Sequence, residues 1–295
     1  MKKTIFKGAG VALVTPFFPD GRINYQKLDT LIERQIDNGT DAIIACGTTG
    51  ESAALSYEEH VQCVQYIIDV VAKRVPVIAG SGSNDTDFAL KISNACEKAG
   101  ADALLMVTPY YNKTSQDGLI RHYNYVADRV SAPIILYNVP SRTGVNIRPE
   151  TYFELSKHER IVAAKEANGD LGSIARTRAL CNDALDIYSG CDEEITAVMA
   201  MGGKGVISVL SNICPGPAHQ IATAYLEGDT EKSLALQLKY MKLIDAIFMD
   251  VNPIPVKEAM NIMGFQCGEC RMPLAPLSKK DHEKMKAVLK EYNLL

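Results

Sequence analysis

Eight short apolar runs, separated by stretches with helical periodicity, constrain the fold more than any other feature of this chain. The runs are VALVTPF (11–17), DAIIACG (41–47), VPVIAGSG (75–82), ADALLMVTPY (101–110), APIILYNVP (132–140), IVAAKEA (161–167), LDIYSGCD (185–192) and GVISVL (205–210). They are continuously apolar and do not alternate in and out, which suits parallel strands covered on both faces. Between them, NYQKLDTLIERQIDNGT (24–40) sets Leu28, Leu31, Ile32 and Ile36 on one stripe, with Gly39 as a stop. SYEEHVQCVQYIIDVVAKRV (56–75) opens with Ser56 followed by Glu59, a capping box. The helix over 84–102 starts at Asn84 or Asp85 and closes at Gly100. Eight similar strand–helix units with no GxGxxG fingerprint predict an α/β fold of the (β/α)₈ TIM-barrel type, rather than a doubly wound open sheet. Beyond GVISVL the pattern is helical only. PGPAHQIATAYLEG (215–228) completes the barrel, so residues 1–228 are expected to form it. Residues 229–295 are expected to form an appended helical region packed directly on it, since no low-complexity linker intervenes.

At 295 residues the chain suits a barrel of about 250 residues plus an extension. Hydrophobic residues make up 47% and charged residues 22%, enough to bury a large core. The net charge is −4 and no long basic run occurs, so binding to a nucleic-acid backbone is not expected. No segment offers 18 consecutive apolar residues, and the first apolar run is broken by Lys7, Gly8 and Gly10. Neither a membrane span nor a signal peptide is expected, and a cytoplasmic location follows. Eight cysteines mostly lie in apolar stretches and are expected to be reduced. CGEC (267–270) is a lone CxxC without a second pair or a nearby histidine, so Cys267 and Cys270 read as thiols in a loop, with no metal site.

The barrel gives each unusual residue an address, because active sites of this fold lie at the C-terminal ends of the strands. There the chain carries GTTGES after the second run, TPYYN after the fourth, YNVPSRTG after the fifth, KEANG after the sixth and SGCDE after the seventh. Lys165 ends a buried strand. An amine held away from water favours its neutral, nucleophilic form and can make a Schiff base with a ketone. A lysine in a structural salt bridge is the alternative, although Glu166 should face the opposite way on a strand. Tyr137 falls at similar depth one strand over, either as a proton shuttle or as a core tyrosine satisfying a buried group. Thr48 and Thr49, in GTTGE, could join backbone N–H groups in holding a carboxylate, or form a plain turn. Tyr110 and Tyr111 suit substrate or subunit contact. Arg142 suits carboxylate recognition, or is a solvated loop arginine.

GTTGES, TPYYN, YNVPSRTG, KEANGD and GVISV occur in this order along the chain. In this the chain resembles the dihydrodipicolinate synthase family (4-hydroxy-tetrahydrodipicolinate synthase) over essentially its whole length. The wider superfamily of pyruvate-dependent class I aldolases, which includes N-acetylneuraminate lyase, shares the barrel, threonine loop, tyrosine and lysine. Its sugar-acid members typically lack the SRTG arginine, so Arg142 with KEANG favours the synthase. The resemblance implies a lyase of lysine and diaminopimelate biosynthesis that condenses pyruvate with aspartate semialdehyde. It implies a Schiff base on Lys165 and no metal or organic cofactor. It further implies that Thr48 and Thr49 hold the pyruvate carboxylate, and that Thr49, Tyr137 and Tyr111 form a proton relay. Arg142 binds the second substrate's carboxylate, and Gly190 and Ile207 offer main-chain contacts. A homotetramer built as a dimer of tight dimers is implied, with Tyr111 crossing the tight-dimer interface. Ser52, Ala53, Tyr57, His60, Asn84, Phe88 and Tyr110 match the positions of an allosteric lysine site. Inhibitable members usually carry histidine at the position of Tyr57 and glutamate at that of Phe88, so weak or absent inhibition is expected. No role is expected for Glu166 beyond pointing away.

Overall fold

The computed structural model describes residues 2–295. Eight strands, β1 (Gly8–Ala12), β2 (Ala42–Ala45), β3 (Val77–Gly80), β4 (Ala103–Val107), β5 (Ile134–Asn138), β6 (Ile161–Glu166), β7 (Asp186–Ser189) and β8 (Gly205–Ser208), form one closed barrel in sequence order. All pairings are parallel, including the closing pair of β1 with β8. The outer ring contains α1 (Tyr25–Asp37), α2 (Tyr57–Val71), α3 (Thr86–Ala99), α4 (Gln116–Ala127), α5 (Pro140–Thr143), α6 (Pro149–Leu155), α7 (Leu171–Cys181), α8 (Ile195–Ala200) and α9 (Pro215–Leu226). The chain ends in α10 (Thr230–Ile247), α11 (Ile254–Ile262) and α12 (Lys279–Glu291). The (β/α)₈ barrel with a C-terminal helical region is the architecture expected from the sequence.

The local signals act as their chemistry dictates. Ser56 caps α2, its hydroxyl accepting from Glu59 N–H while the Glu59 carboxylate accepts from Ser56 N–H. Asp85, rather than Asn84, caps α3, and Gly100 ends it in the left-handed conformation. The first strand lies three residues earlier than the VALVTPF run. Gly8 and Gly10, weak strand formers by propensity, belong to it because their neighbours leave no room for a side chain: a Cβ on Gly8 would run into the Asp41 carboxylate, and one on Gly10 would lie 2.8 Å from Ile44 Cδ1. Across the seam with β8, a Cβ on Gly205 would clash with the Gly8 carbonyl oxygen.

Side chains alternate across the barrel wall. Ile44, Ile78, Leu105, Ile135, Tyr137, Ala163, Tyr188 and Ile207 fill the interior, while Ile43, Leu104, Ile134, Leu136 and Ala164 join the larger core between wall and helices. Phe6, just ahead of β1, stacks on Tyr188 with ring centroids 4.4 Å apart, and the Tyr188 hydroxyl donates to the Phe6 carbonyl at 2.7 Å. This plug closes the N-terminal end, so the open end is the one where the strands finish. The C-terminal helices pack on the barrel without a spacer, α10 against α8 and α9, and α12 against α10 and α11. Among the described residues no helix is long and apolar enough to cross a membrane.

Candidate active site

Strand register brings the two principal candidates together. Tyr137 on β5 pairs directly with Lys165 on β6, and alternation points both inward. The Lys165 ammonium lies 4.3 Å from the centroid of the Tyr137 ring. Lys165 is 5% exposed and Tyr137 7%. The chain has a second buried lysine, Lys257, which offers a contrast to Lys165. Lys257 Nζ is paired with Glu51 Oε1 at 2.8 Å and donates to the Glu269 carbonyl at 2.9 Å. Lys165 has no carboxylate within 4.0 Å and no hydrogen-bond acceptor among the described residues. A buried structural lysine is normally paired; the amine at the end of β6 has no such partner among the described residues.

Glu166 does face the other way, as strand alternation requires. It is 1% exposed, and its carboxylate accepts from Asn138 Nδ2 at 3.1 and 3.4 Å. Burial pushes this carboxyl up to about 8, against the opposing pull of the groups bonded to it. Asn138 also bonds Asn146 Oδ1 and the Ile147 N–H, which ties the β5 loop back to the end of β6.

Gly190, just beyond β7, presses against the lysine stem. A Cβ there would meet the Ala167 Cβ and the Glu166 carbonyl oxygen at 2.9 Å and Lys165 Cε at 3.1 Å. Its N–H donates to the Glu166 carbonyl at 2.6 Å. Only hydrogen fits at this position without displacing the lysine. Ile207, on β8, is fully buried in the interior layer beside the site.

The GTTGE loop leaves β2 and passes through a 3-10 turn at Ser52–Ala54 instead of entering a helix directly. Thr49 is 2% exposed and Thr48 is half-buried. Among the described residues nothing accepts from the Thr48 or Thr49 N–H, so both donors are available to an anion. Glu51, in the left-handed region at φ 57°, turns its carboxylate inward, where it accepts from Lys257 and from the Arg271 N–H at 2.8 Å. Arg271 in turn bonds Glu59 at 2.6 and 2.8 Å and holds that carboxyl down at about 2.

A residue absent from the sequence-based reading completes this cluster. Asn252, 6% exposed and ahead of α11, donates from Nδ2 to Thr49 Oγ1 at 3.0 Å, and its carbonyl accepts from Arg142 Nη2 at 3.1 Å. In the sequence NPIP reads only as a helix start; nothing local marks a contact made 203 residues away. Arg142 itself is exposed, on the one-turn helix α5.

Tyr111 is not brought into this cluster. It is 90% exposed, with its backbone in the left-handed region at φ 68°. The positions matching an allosteric site cluster around α2 and α3. Tyr57 and Phe88 face each other at 6.3 Å, and the Lys91 ammonium sits 4.0 Å from the Tyr57 ring centroid. His60 is buried, with Nε2 bonded to the Gly80 carbonyl at 2.8 Å, and burial pulls its pKa down. A surface cavity of about 360 Å³ lies by α4, lined by Asn84, Asn112, Lys113, Arg121 and His122 among others, and it holds none of the Lys165 cluster. The eight cysteines are unbridged, and Cys267 is fully buried beside Met260.

Known proteins resemble the chain in sequence and in fold. The chain is 51% identical over 292 residues, 99% of its own length and 98% of the relative's, to the 4-hydroxy-tetrahydrodipicolinate synthase of Thermoanaerobacter sp. (strain X514). The solved dihydrodipicolinate synthase of Aquifex aeolicus superposes with a TM-score of 0.96 at 42% identity, covering 98% of this chain and 99% of that one. A solved monomeric dihydrodipicolinate synthase variant gives 0.96 and 42%, covering 99% and 98%. Residues 5–292 match the Dihydrodipicolinate synthetase family, and the chain belongs to that family.

Proposed function

We propose that this chain is a Schiff-base lyase that condenses pyruvate with L-aspartate 4-semialdehyde to 4-hydroxy-tetrahydrodipicolinate, the first committed step of lysine and diaminopimelate biosynthesis. The observation that carries the reading is the buried, unpaired Lys165 facing Tyr137 in register, in a chain of this family.

In this reading Lys165 Nζ adds to the pyruvate ketone. Tyr137 passes the proton that lets water leave, giving an iminium. Loss of a methyl proton produces the enamine, whose carbon attacks the aldehyde of the second substrate. The amine of that substrate then adds to the iminium carbon, closes the ring and expels Lys165. The iminium nitrogen is the electron sink, so no metal or organic cofactor takes part. Thr48 and Thr49, with their free N–H groups, hold the pyruvate carboxylate, and Arg142 at the mouth takes the carboxylate of the semialdehyde. Ile207 and Gly190 wall the lysine, and Gly190 leaves it room. Residues 1–228 form the catalytic barrel, and 229–295 a helical region whose Asn252, Lys257 and Arg271 hold the threonine loop.

The exposed Tyr111, held out on a left-handed backbone, fits the relay only as a group donated to a neighbouring subunit. This favours a tight dimer; the pairing of two such dimers into a homotetramer and a cytoplasmic location are carried over from the family resemblance alone. Borohydride reduction in the presence of pyruvate, with peptide mass mapping, tests the mechanism. A pyruvyl adduct on Lys165 is the expected product, and it should disappear in Lys165→Ala. An adduct on any other lysine, or none, overturns the reading.

A further inference from the structure

Thr108 and Thr143 share a buried hydroxyl bridge beside the strand that carries Tyr137. Thr108 is fully buried just beyond β4, and Thr143 is 4% exposed at the end of α5, next to Arg142. The Thr108 hydroxyl donates to Thr143 Oγ1 at 3.0 Å, and the Thr108 N–H donates to the Tyr137 carbonyl at 3.0 Å. One residue thus ties the turn that bears Arg142 to the strand that bears Tyr137.

The turn needs such a tie. Helix α5 is a single turn, Pro140–Thr143, and one turn fixes more backbone than its few hydrogen bonds offset. Thr143 supplies the missing contacts. Its oxygen accepts from the Thr108 hydroxyl and from the Val145 N–H at 3.2 Å. The Val139 carbonyl already accepts from the Arg142 and Thr143 N–H groups. The Thr143 proton therefore goes to the Val145 carbonyl at 3.1 Å rather than to Val139 at 3.3 Å. One donated and two accepted bonds exhaust this hydroxyl.

Arg142 is presented for binding in a way that Arg271 is not. Glu59 pairs with the Arg271 guanidinium at 2.6 Å. Arg142 has no carboxylate within 4.0 Å among the described residues, and its Nη2 donates to the main-chain carbonyl of Asn252 at 3.1 Å. A neutral carbonyl holds one corner of the guanidinium and leaves its charge and other donors for an incoming carboxylate. The side chain is thus held at both ends, its tip by Asn252 and its backbone by Thr143 through Thr108.

We propose that Thr143, held by Thr108, is a positioning residue that sets where the Arg142 guanidinium stands, and so the selection of an acidic second substrate. The inference rests on Arg142 taking the carboxylate of the semialdehyde. Pyruvate is held at Lys165 and the threonine loop in that reading, so the two substrates report separately.

The test is steady-state kinetics on Thr143→Val, Thr143→Ser, Arg142→Ala and the valine and alanine changes together, with borohydride trapping of pyruvate alongside. Thr143→Val keeps the volume and loses the hydroxyl. It raises KM for the semialdehyde about 10-fold, and leaves the pyruvate concentration that half-saturates trapping within about twofold of wild type. In the Arg142→Ala background the same change costs less than about twofold in kcat/KM, because its target is already gone. Thr143→Ser, which keeps the hydroxyl, stays within about threefold of wild type. The proposal is overturned by an unchanged semialdehyde KM in Thr143→Val, by equal losses in both backgrounds, by a parallel shift in pyruvate trapping, or by a serine variant as poor as the valine one. Should Thr143→Val not fold, Thr108→Val removes the bridge alone and is judged by the same outcomes. Arg142→Ala with an unchanged semialdehyde KM sinks the role of Arg142 and this inference together. Absence of a pyruvyl adduct on Lys165 in wild type sinks the Schiff-base reading instead.

Discussion

Lys165 and Glu166 are sequence neighbours with opposite fates, and the difference comes from which side of the barrel wall each faces. Lys165 points into the open end beside Tyr137. Glu166 points into the layer between wall and helices, 1% exposed, with Asn138 as its hydrogen-bonded neighbour. Burial is the main cause raising its carboxyl to about 8, and the charges of Glu194 and Asp170 push the same way. Its ordinary value, in the unfolded chain, is 4.5. Between these two values the native state holds a proton that the unfolded chain has released. The contribution to stability is therefore complete below pH 4.5 and falls as pH rises toward about 8, by up to about 1.4 kcal/mol per pH unit. Glu166→Gln keeps the size and removes the proton exchange. Urea unfolding from pH 5 to 8 should show wild type losing stability relative to the glutamine variant. Parallel curves for the two proteins would mean that Glu166 does not hold its proton. The alternation of β6 made the direction of Glu166 legible in the sequence. Its partner was not, because Asn138 reaches it by register across 28 residues.

At the scale of elements, the strands were legible because covered parallel strands must be apolar on both faces, and the helix caps because Ser56 and Gly100 act on their own chain neighbours. The clasp around the threonine loop was not legible. Glu51, Lys257 and Arg271 carry no local pattern, and only the docking of α11 and the segment after it closes the cluster. Helices α2 and α3 carry a consequence of their own. The Lys91 ammonium already lies over the Tyr57 ring, and Phe88 offers a phenyl face where an ammonium needs a carboxylate. A free lysine arriving there would meet like charge from Lys91. His60 spends its Nε2 on Gly80 and stays neutral, so it offers no second anchor. Lysine should therefore inhibit weakly or not at all, with no more than about twofold loss of rate at millimolar concentration. Steady-state inhibition by micromolar lysine would contradict this arrangement, and Phe88→Glu is expected to strengthen whatever response exists.

For the whole molecule, the question is whether one chain holds a complete site. Lys165, Tyr137 and the threonine loop come from one barrel, but Tyr111 stands 90% exposed on a left-handed backbone, outside the Lys165 cluster. A self-complementary contact between two chains would cover this ring and give each of two subunits the other's tyrosine. The arrangement has a signature that no single-chain site can mimic. Lys165→Ala leaves Tyr111 intact, and Tyr111→Phe leaves Lys165 intact. In a hybrid dimer of the two, the subunit carrying Lys165 receives Tyr111 from its partner and has every group. The other subunit has neither group. Random mixing makes half the dimers hybrids with one good site each, so about a quarter of wild-type activity per site should return when the two variants are unfolded together and refolded. If each tyrosine served its own chain, every site in the hybrid would still lack one group, and the mixture would show only the average of its parents. Activity of the co-refolded mixture against separately refolded controls therefore measures directly whether the site is shared between subunits.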